Sequence, residues 1–137
     1  MRKYIFIGIG GFLGAIFRLF IKLMPIQNYH ELVPLNVLFM NITGSFVLAL
    51  ITTIALEVLN MDSDLRLGIC TGFLGAYTTF STMCKEAITL IDKGYYFSTI
   101  TYLTNSIFLG IAAAYLGVVV AREIVYKLVN RKNINEV

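Results

Sequence analysis

The sequence predicts an all-α membrane protein of four transmembrane helices, the third of them broken. Three observations carry that prediction. Of 137 residues, 58% are hydrophobic and 14% charged, whereas a soluble domain of this size carries roughly a quarter charged residues. Four long apolar stretches are separated by short polar breaks. The third stretch concentrates glycine, threonine and serine at its middle, a poor composition for an unbroken helix.

A crossing takes about 20 residues. Spans are expected at about 4–21, 32–56, 67–91 and 94–121, with a polar tail over 122–137, all within one transmembrane domain, 1–137. Backbone groups in hydrocarbon have to be satisfied within the segment, and these runs are too long and too uniformly apolar for barrel strands, so the element is the helix. The first run is interrupted by Arg18, the second and fourth carry no charge, and the third holds Lys85 and Glu86. Breakers mark the connections: Pro25, Asn28, His30 and Glu31 in the first; Asn60, Asp62, Ser63 and Asp64 in the second; Asp92-Lys93-Gly94 in the third. Arg2 and Lys3 before the apolar run 4–17 resemble the start of a secretory signal, but no small-x-small cleavage site follows.

Both termini and the loop at 60–66 are expected on one side, with Arg2, Lys3, Arg66, Arg122, Lys127, Arg131 and Lys132. Arg18, Lys22 and Lys93 are expected on the other, a bias that favours cytoplasmic termini. The net charge of +3 is too small and too scattered for a nucleic-acid groove. Cys70 and Cys84 share one apolar stretch, which argues against a disulfide framework. His30 reads as a solvated loop histidine. Gly10 and Gly14, Gly68 and Gly72, and the run Gly110, Ala113, Ala114 and Gly117 fit close helix packing in lipid. Four such helices make a thin bundle, so a dimer or larger assembly is expected.

A charged or strongly polar side chain inside a span is costly and needs a reason. Arg18 either snorkels to the interface or anchors the mouth of an anion path. Asn41, one turn from Ser45, brings two amide donors to mid-membrane, either for an ion or as glue between helices. The segment Gly72-Phe73-Leu74-Gly75-Ala76-Tyr77-Thr78-Thr79-Phe80-Ser81-Thr82 reads as a helix break that frees carbonyls on one side and amides on the other. Thr79, Thr82 and Glu86 fall on one face, and Tyr102, Asn105 and Ser106 add donors from the fourth span. The buried polar groups are mostly amide, hydroxyl and phenol donors, which suits an anion, and Phe80 adds an electropositive ring edge.

In order along the chain, these stretches resemble the CrcB family, the Fluc fluoride channels of bacteria and archaea, over roughly 10–117. The resemblance is carried by the opening glycines with Arg18, by Asn41-Ile42-Thr43-Gly44-Ser45-Phe46, by Thr78-Thr79-Phe80-Ser81-Thr82, and by Tyr102, Ser106 and Gly110. It implies passive fluoride export by an antiparallel dual-topology dimer with two pores. It further implies a structural sodium ion at the dimer interface, held by backbone carbonyls at Gly75 and Thr78. Asn41 matches a fluoride-coordinating asparagine, Phe80 the first of two pore phenylalanines, Ser81, Thr82, Glu86, Tyr102 and Ser106 polar positions near the pore, and Arg18 the vestibule arginine. Met83 stands where the family usually has its second phenylalanine, Asn36-Val37 replaces a glycine-threonine, and Ala114 stands where some members carry a hydroxyl. Because the charge bias departs from a balanced dual-topology protein, the chain reads either as a homodimer or as one half of a paralogous heterodimer.

A proton-coupled small multidrug-type transporter shares the four-helix, dual-topology plan. Its coupling acid, however, lies in the first span, where this chain has none, and the chain has no tryptophan. No serine–histidine–acid set, metal-ligand spacing or phosphate loop points to an enzyme.

Overall fold

A computed structural model describes residues 1–24, 33–57 and 61–135, with side chains described through Lys127. Every described element is helical. Helix α1 is Arg2–Leu23, α2 is Leu35–Glu57, α3 covers 63–77, α4 is Phe80–Asp92 and α5 is Tyr96–Asn135. Three of them, Arg2–Leu23, Leu35–Glu57 and the Tyr96–Lys127 part of α5, are long and apolar enough to cross a membrane. The remaining apolar run is divided between α3 and α4, neither of which is that long alone.

The boundaries move where local chemistry overrides the apolar pattern. Helix α2 begins at Leu35, after Pro34, because proline offers no amide to a preceding turn. Helix α3 begins at Ser63, inside the expected loop, with Asp62 at its cap position. Helix α5 does not stop where the apolar run stops. At 40 residues and about 1.5 Å each it is about 60 Å long, roughly twice a hydrocarbon core of about 30 Å. The turn at Gly94 has φ +81°, a conformation that glycine adopts without strain. Pro25, Asn28, His30, Glu31, Leu32 and Asn60 lie outside the described residues.

The middle of α3 is wound as a π-helix over Gly68–Leu74, between an α-turn at Ser63–Leu67 and another at Gly75–Tyr77. Its glycines lie against α1. A methyl group on Gly14 would overlap the Phe73 carbonyl, and one on Gly10 would overlap that of Gly68, so both pairs of glycines form one seam where the two backbones touch. The small residues of α5 do the same against α2: Ala113 and Gly117 are buried, and a methyl group on Gly117 would overlap the Phe46 carbonyl. The helices therefore associate mainly as two pairs, α1 with α3 and α2 with α5, and α4 packs across onto α5 and α2. Between them lies a buried cluster of Val37, Met40, Met83, Leu90 and Tyr102.

Arg2 pairs with Asp62 and Arg122 with Glu57, each at 3.4 Å. Exposed pairs of this kind contribute only about 0–1 kcal/mol. They do place the starts of α1 and α3, the end of α2 and residue 122 of α5 at one end of the bundle.

Candidate functional site

Between α3 and α4 the backbone is extended for two residues: Thr78 has φ −76°, ψ 155° and Thr79 φ −150°, ψ 113°. In a continuous helix the Thr79 N–H would close on the Gly75 carbonyl and the Thr82 N–H on that of Thr78. Here the Thr79 N–H donates to Asn41 Oδ1 at 2.9 Å, and the Thr82 N–H donates to Thr79 Oγ1 at 3.2 Å. Asn41 Nδ2 in turn donates to the Thr79 carbonyl at 3.1 Å. One carboxamide thus meets both backbone groups of Thr79, as a neighbouring strand would. An orphaned polar group in an apolar interior costs roughly 2–7 kcal/mol, so Asn41 is what makes the extended pair tolerable at this depth. The Gly75 and Thr78 carbonyls are left without their helical donors. Gly75 is also exposed on the single chain, with nothing but the Cys70 carbonyl, at 4.0 Å, near its side-chain direction.

Two cavities flank this point, and Thr79 lines both. One, of about 340 Å³, is bounded by Asn41, Ser45, Thr79, Phe80, Met83 and Ser106. The other, of about 330 Å³, is bounded by Arg18, Lys22, Thr79, Ser81 and Thr82, with apolar residues between. Phe80 opens α4 and is 74% exposed on the single chain, whereas Met83, one turn later, is 9% exposed and belongs to the buried cluster. Phe80 and Met83 therefore border one cavity, and only Phe80 offers it an aromatic edge.

The hydroxyls divide into two sets. Ser45 donates to the Asn41 carbonyl at 2.8 Å, Ser106 to that of Tyr102 at 2.8 Å, and Thr78 to that of Leu74 at 2.9 Å. Tyr102 is fully buried, and its phenol donates to Glu86 Oε2 at 2.9 Å. These protons are committed within the protein. Thr82 Oγ1 accepts from Thr79 Oγ1 at 2.9 Å, which leaves its own proton uncommitted, and Ser81 is exposed at 3.4 Å from Thr79 Oγ1. Asn41 retains one of its two amide protons rather than the two expected from the sequence. Donors therefore collect around the extended pair: one Asn41 N–H and the Thr82 hydroxyl are uncommitted, and the exposed Ser81 hydroxyl holds Thr79 Oγ1 only through a long 3.4 Å bond.

Glu86 meets Tyr102 rather than Lys85, which is exposed, and Asn105 is exposed on α5 away from both cavities. The sequence reading did not single out Thr79 as a hinge or Lys22 as a lining residue. Thr79 had a signal: a threonine three residues before another polar residue at a helix start is an N-cap pattern. Lys22 read only as an interfacial charge.

The fold and site define a multi-pass membrane protein whose helices converge on an extended pair, Thr78 and Thr79, flanked by hydrogen-bond donors. A family model described as CrcB-like protein, Camphor Resistance (CrcB), matches residues 5–118. The chain is 40% identical over 119 residues to fluoride-specific ion channel FluC 1 of Bacillus anthracis, covering 85% of this chain and 87% of the relative. It is 37% identical over 134 residues to FluC 2 of Carboxydothermus hydrogenoformans, covering 96% and 95%. It is 31% identical over 125 residues to FluC of Rhizobium meliloti (strain 1021), covering 91% and 100%. The chain belongs to the CrcB family.

Proposed function

We propose that this protein is a fluoride-specific channel of the plasma membrane that lets cytoplasmic fluoride leave passively. The observation that carries this reading is the pairing of Asn41 with the extended Thr79, which gathers uncommitted donors between two cavities. A small hard anion arriving from the Arg18 side, which faces the cytoplasm in the inverted copy of an antiparallel pair, would exchange water for Ser81, Thr82 and the free Asn41 proton, and then meet the Phe80 ring edge. Ser45, Ser106, Tyr102 and Glu86 shape that path through bonds already made, and Met83 closes it with an apolar wall. Kinship with channels named for fluoride supports the choice of ion.

The α3 and α4 pieces together form the fourth crossing in this reading. The exposed Gly75 and Phe80 on a single chain support an assembly in which a second copy covers them. An antiparallel arrangement would bring two copies of the break together. The Gly75 and Thr78 carbonyls, deprived of helical donors, are hard oxygen ligands that fit a sodium ion. Bound there, the ion would balance the facing carbonyl dipoles. Whether the partner is a second copy or an oppositely inserted paralogue depends on the charge bias toward the termini side.

The test is fluoride-electrode recording of efflux from liposomes containing the purified protein alone, with a potassium ionophore to release the opposing potential. Fluoride release with chloride retained is the expected result. No fluoride release from correctly inserted protein, alone or with a co-purified paralogue, would overturn the reading. Release only with the paralogue would assign the chain to a heterodimer.

A further inference from the structure

We infer that Lys22 is a second cation of the anion entrance, acting beside Arg18, and that Asn36 is the positioning residue that holds it there. The inference rests on the fluoride-channel reading and adds to it two residues of this chain.

Lys22 lies one helical turn after Arg18 on α1, and both border the cavity that reaches Thr79, Ser81 and Thr82. A lysine in the last turn of a helix has an ordinary explanation, since it complements the free carbonyls at the negative end. Those carbonyls already have a donor. Asn36 Nδ2 lies 3.4 Å from the Ile21 carbonyl, 3.3 Å from that of Lys22 and 3.2 Å from that of Met24. One amide from the start of α2 thus covers the end of α1 and fixes the backbone from which Lys22 projects. The same amide shields carbonyl oxygens that would otherwise present partial negative charge near the cavity mouth.

Two further observations point the same way. Asn36 Oδ1 is buried with no hydrogen-bond partner among the described residues. An orphaned acceptor is unfavourable and calls for a compensating role, which the clamp on α1 supplies. Lys22 makes no salt bridge among the described residues. The Glu86 carboxylate is engaged instead by the Tyr102 phenol at 2.9 Å. The ammonium is therefore available to a mobile anion. Two cations one turn apart over a hydroxyl-lined cavity raise the local concentration of a small anion before it sheds water, an effect that salt screens.

The test compares initial fluoride efflux from liposomes holding the wild type, Lys22→Gln, Lys22→Arg or Asn36→Ala. Sub-saturating fluoride is used, at low ionic strength and at about 0.15 M of an impermeant salt, where screening acts within about 8 Å. Lys22→Gln is expected to slow low-salt efflux about tenfold, at the lower end of electrostatic steering, and to flatten its salt dependence. Lys22→Arg should keep both. Asn36→Ala should raise the half-saturating fluoride concentration while leaving the maximal rate within about twofold, a split that general loss of folding would not produce. As a second route, Lys22→Cys should regain rate with a cationic thiol reagent and not with an anionic one, the wild type serving as control for Cys70 and Cys84. A Lys22→Gln protein with wild-type rate and salt slope, or a Lys22→Cys protein indifferent to the sign of the added charge, overturns the inference. A wild type that releases no fluoride overturns the channel reading instead.

Discussion

The two cavities beside Thr79 differ in kind. The one reached from α1 is bordered by Arg18 and Lys22 and by the hydroxyls of Ser81 and Thr82. The other carries no charged residue, and its wall is Leu48, Phe80, Met83 and Ile107 with Asn41, Ser45 and Ser106. On the channel reading proposed above, the first would attract a negative ion at range and the second would hold one at short range. A hydrated anion gains from full charges because they act through water. Once it is partly stripped, only groups in contact with it matter, and there the protein offers an amide proton and a ring edge. What separates the two environments is a single extended residue, held by one asparagine. Collection and selection are therefore assigned to different residues, and substitutions can move one without the other.

The largest expected effect comes from removing that asparagine. Asn41→Ala orphans the N–H and C=O of a buried Thr79, at about 1–3 kcal/mol each. Felt at the transport barrier, that corresponds to roughly a hundredfold loss of fluoride efflux at about 1.4 kcal/mol per decade. The measurement is electrode-recorded efflux, with elution volume in detergent to show that the protein still assembles; wild-type efflux would dissolve the boundary between the cavities. Phe80→Ile should follow, with about a tenfold loss, taking the ring-edge contact with the ion as comparable to the ~0.5–1.5 kcal/mol that an aromatic pair adds beyond its area. Here the salt dependence should stay that of the wild type, since the collecting side is untouched. Thr82→Val should cost about fivefold, the equivalent of one hydrogen bond of about 1 kcal/mol. If Thr82→Val flattened the salt dependence instead of lowering the saturated rate, its hydroxyl would belong to collection and not to the path.

Much of this was legible in the sequence, because membrane chemistry leaves few choices. The long uncharged runs expected at about 32–56 and 94–121 hold nearly all of α2 and most of α5, and the glycines of the first and third runs became the α1–α3 seam. The low helix propensity of 72–82 marked the right neighbourhood. It did not separate two different distortions, a π-wound turn at Gly68–Leu74 and an extended pair at Thr78 and Thr79, because the same small and β-branched residues disfavour a regular helix in both. Which donors remain free was not legible either. A serine reads as a donor wherever it stands, and only the helical geometry around Ser45 and Ser106 shows the proton returned to a carbonyl one turn back. Met83 was read as a lost ring; the structure adds that it is nearly buried, so its bulk also belongs to the core. Asn36, with Val37, was read only as a departure from the family's glycine-threonine, and its amide turns out to close the end of α1.

The smallest expected effect is the one that tests this division of donors most directly. Ser106 borders the uncharged cavity, where a hydroxyl would be taken for an ion ligand on position alone. Its proton is held by the Tyr102 carbonyl at 2.8 Å. That carbonyl sits inside a helix and keeps its helical environment when the hydroxyl is removed. Ser106→Ala should therefore change efflux by less than about twofold, with a stability change no greater than the roughly 0.5–1.5 kcal/mol of one hydrogen bond. Thr82→Val, with a proton that no protein group holds, supplies the contrast in the same assay. A Ser106→Ala loss as large as that of Thr82→Val would mean that the hydroxyl rotates from the carbonyl to the ion as the ion passes. The uncharged cavity would then hold fluoride with side chains recruited on arrival, and its selectivity would depend on how readily each serine leaves its carbonyl.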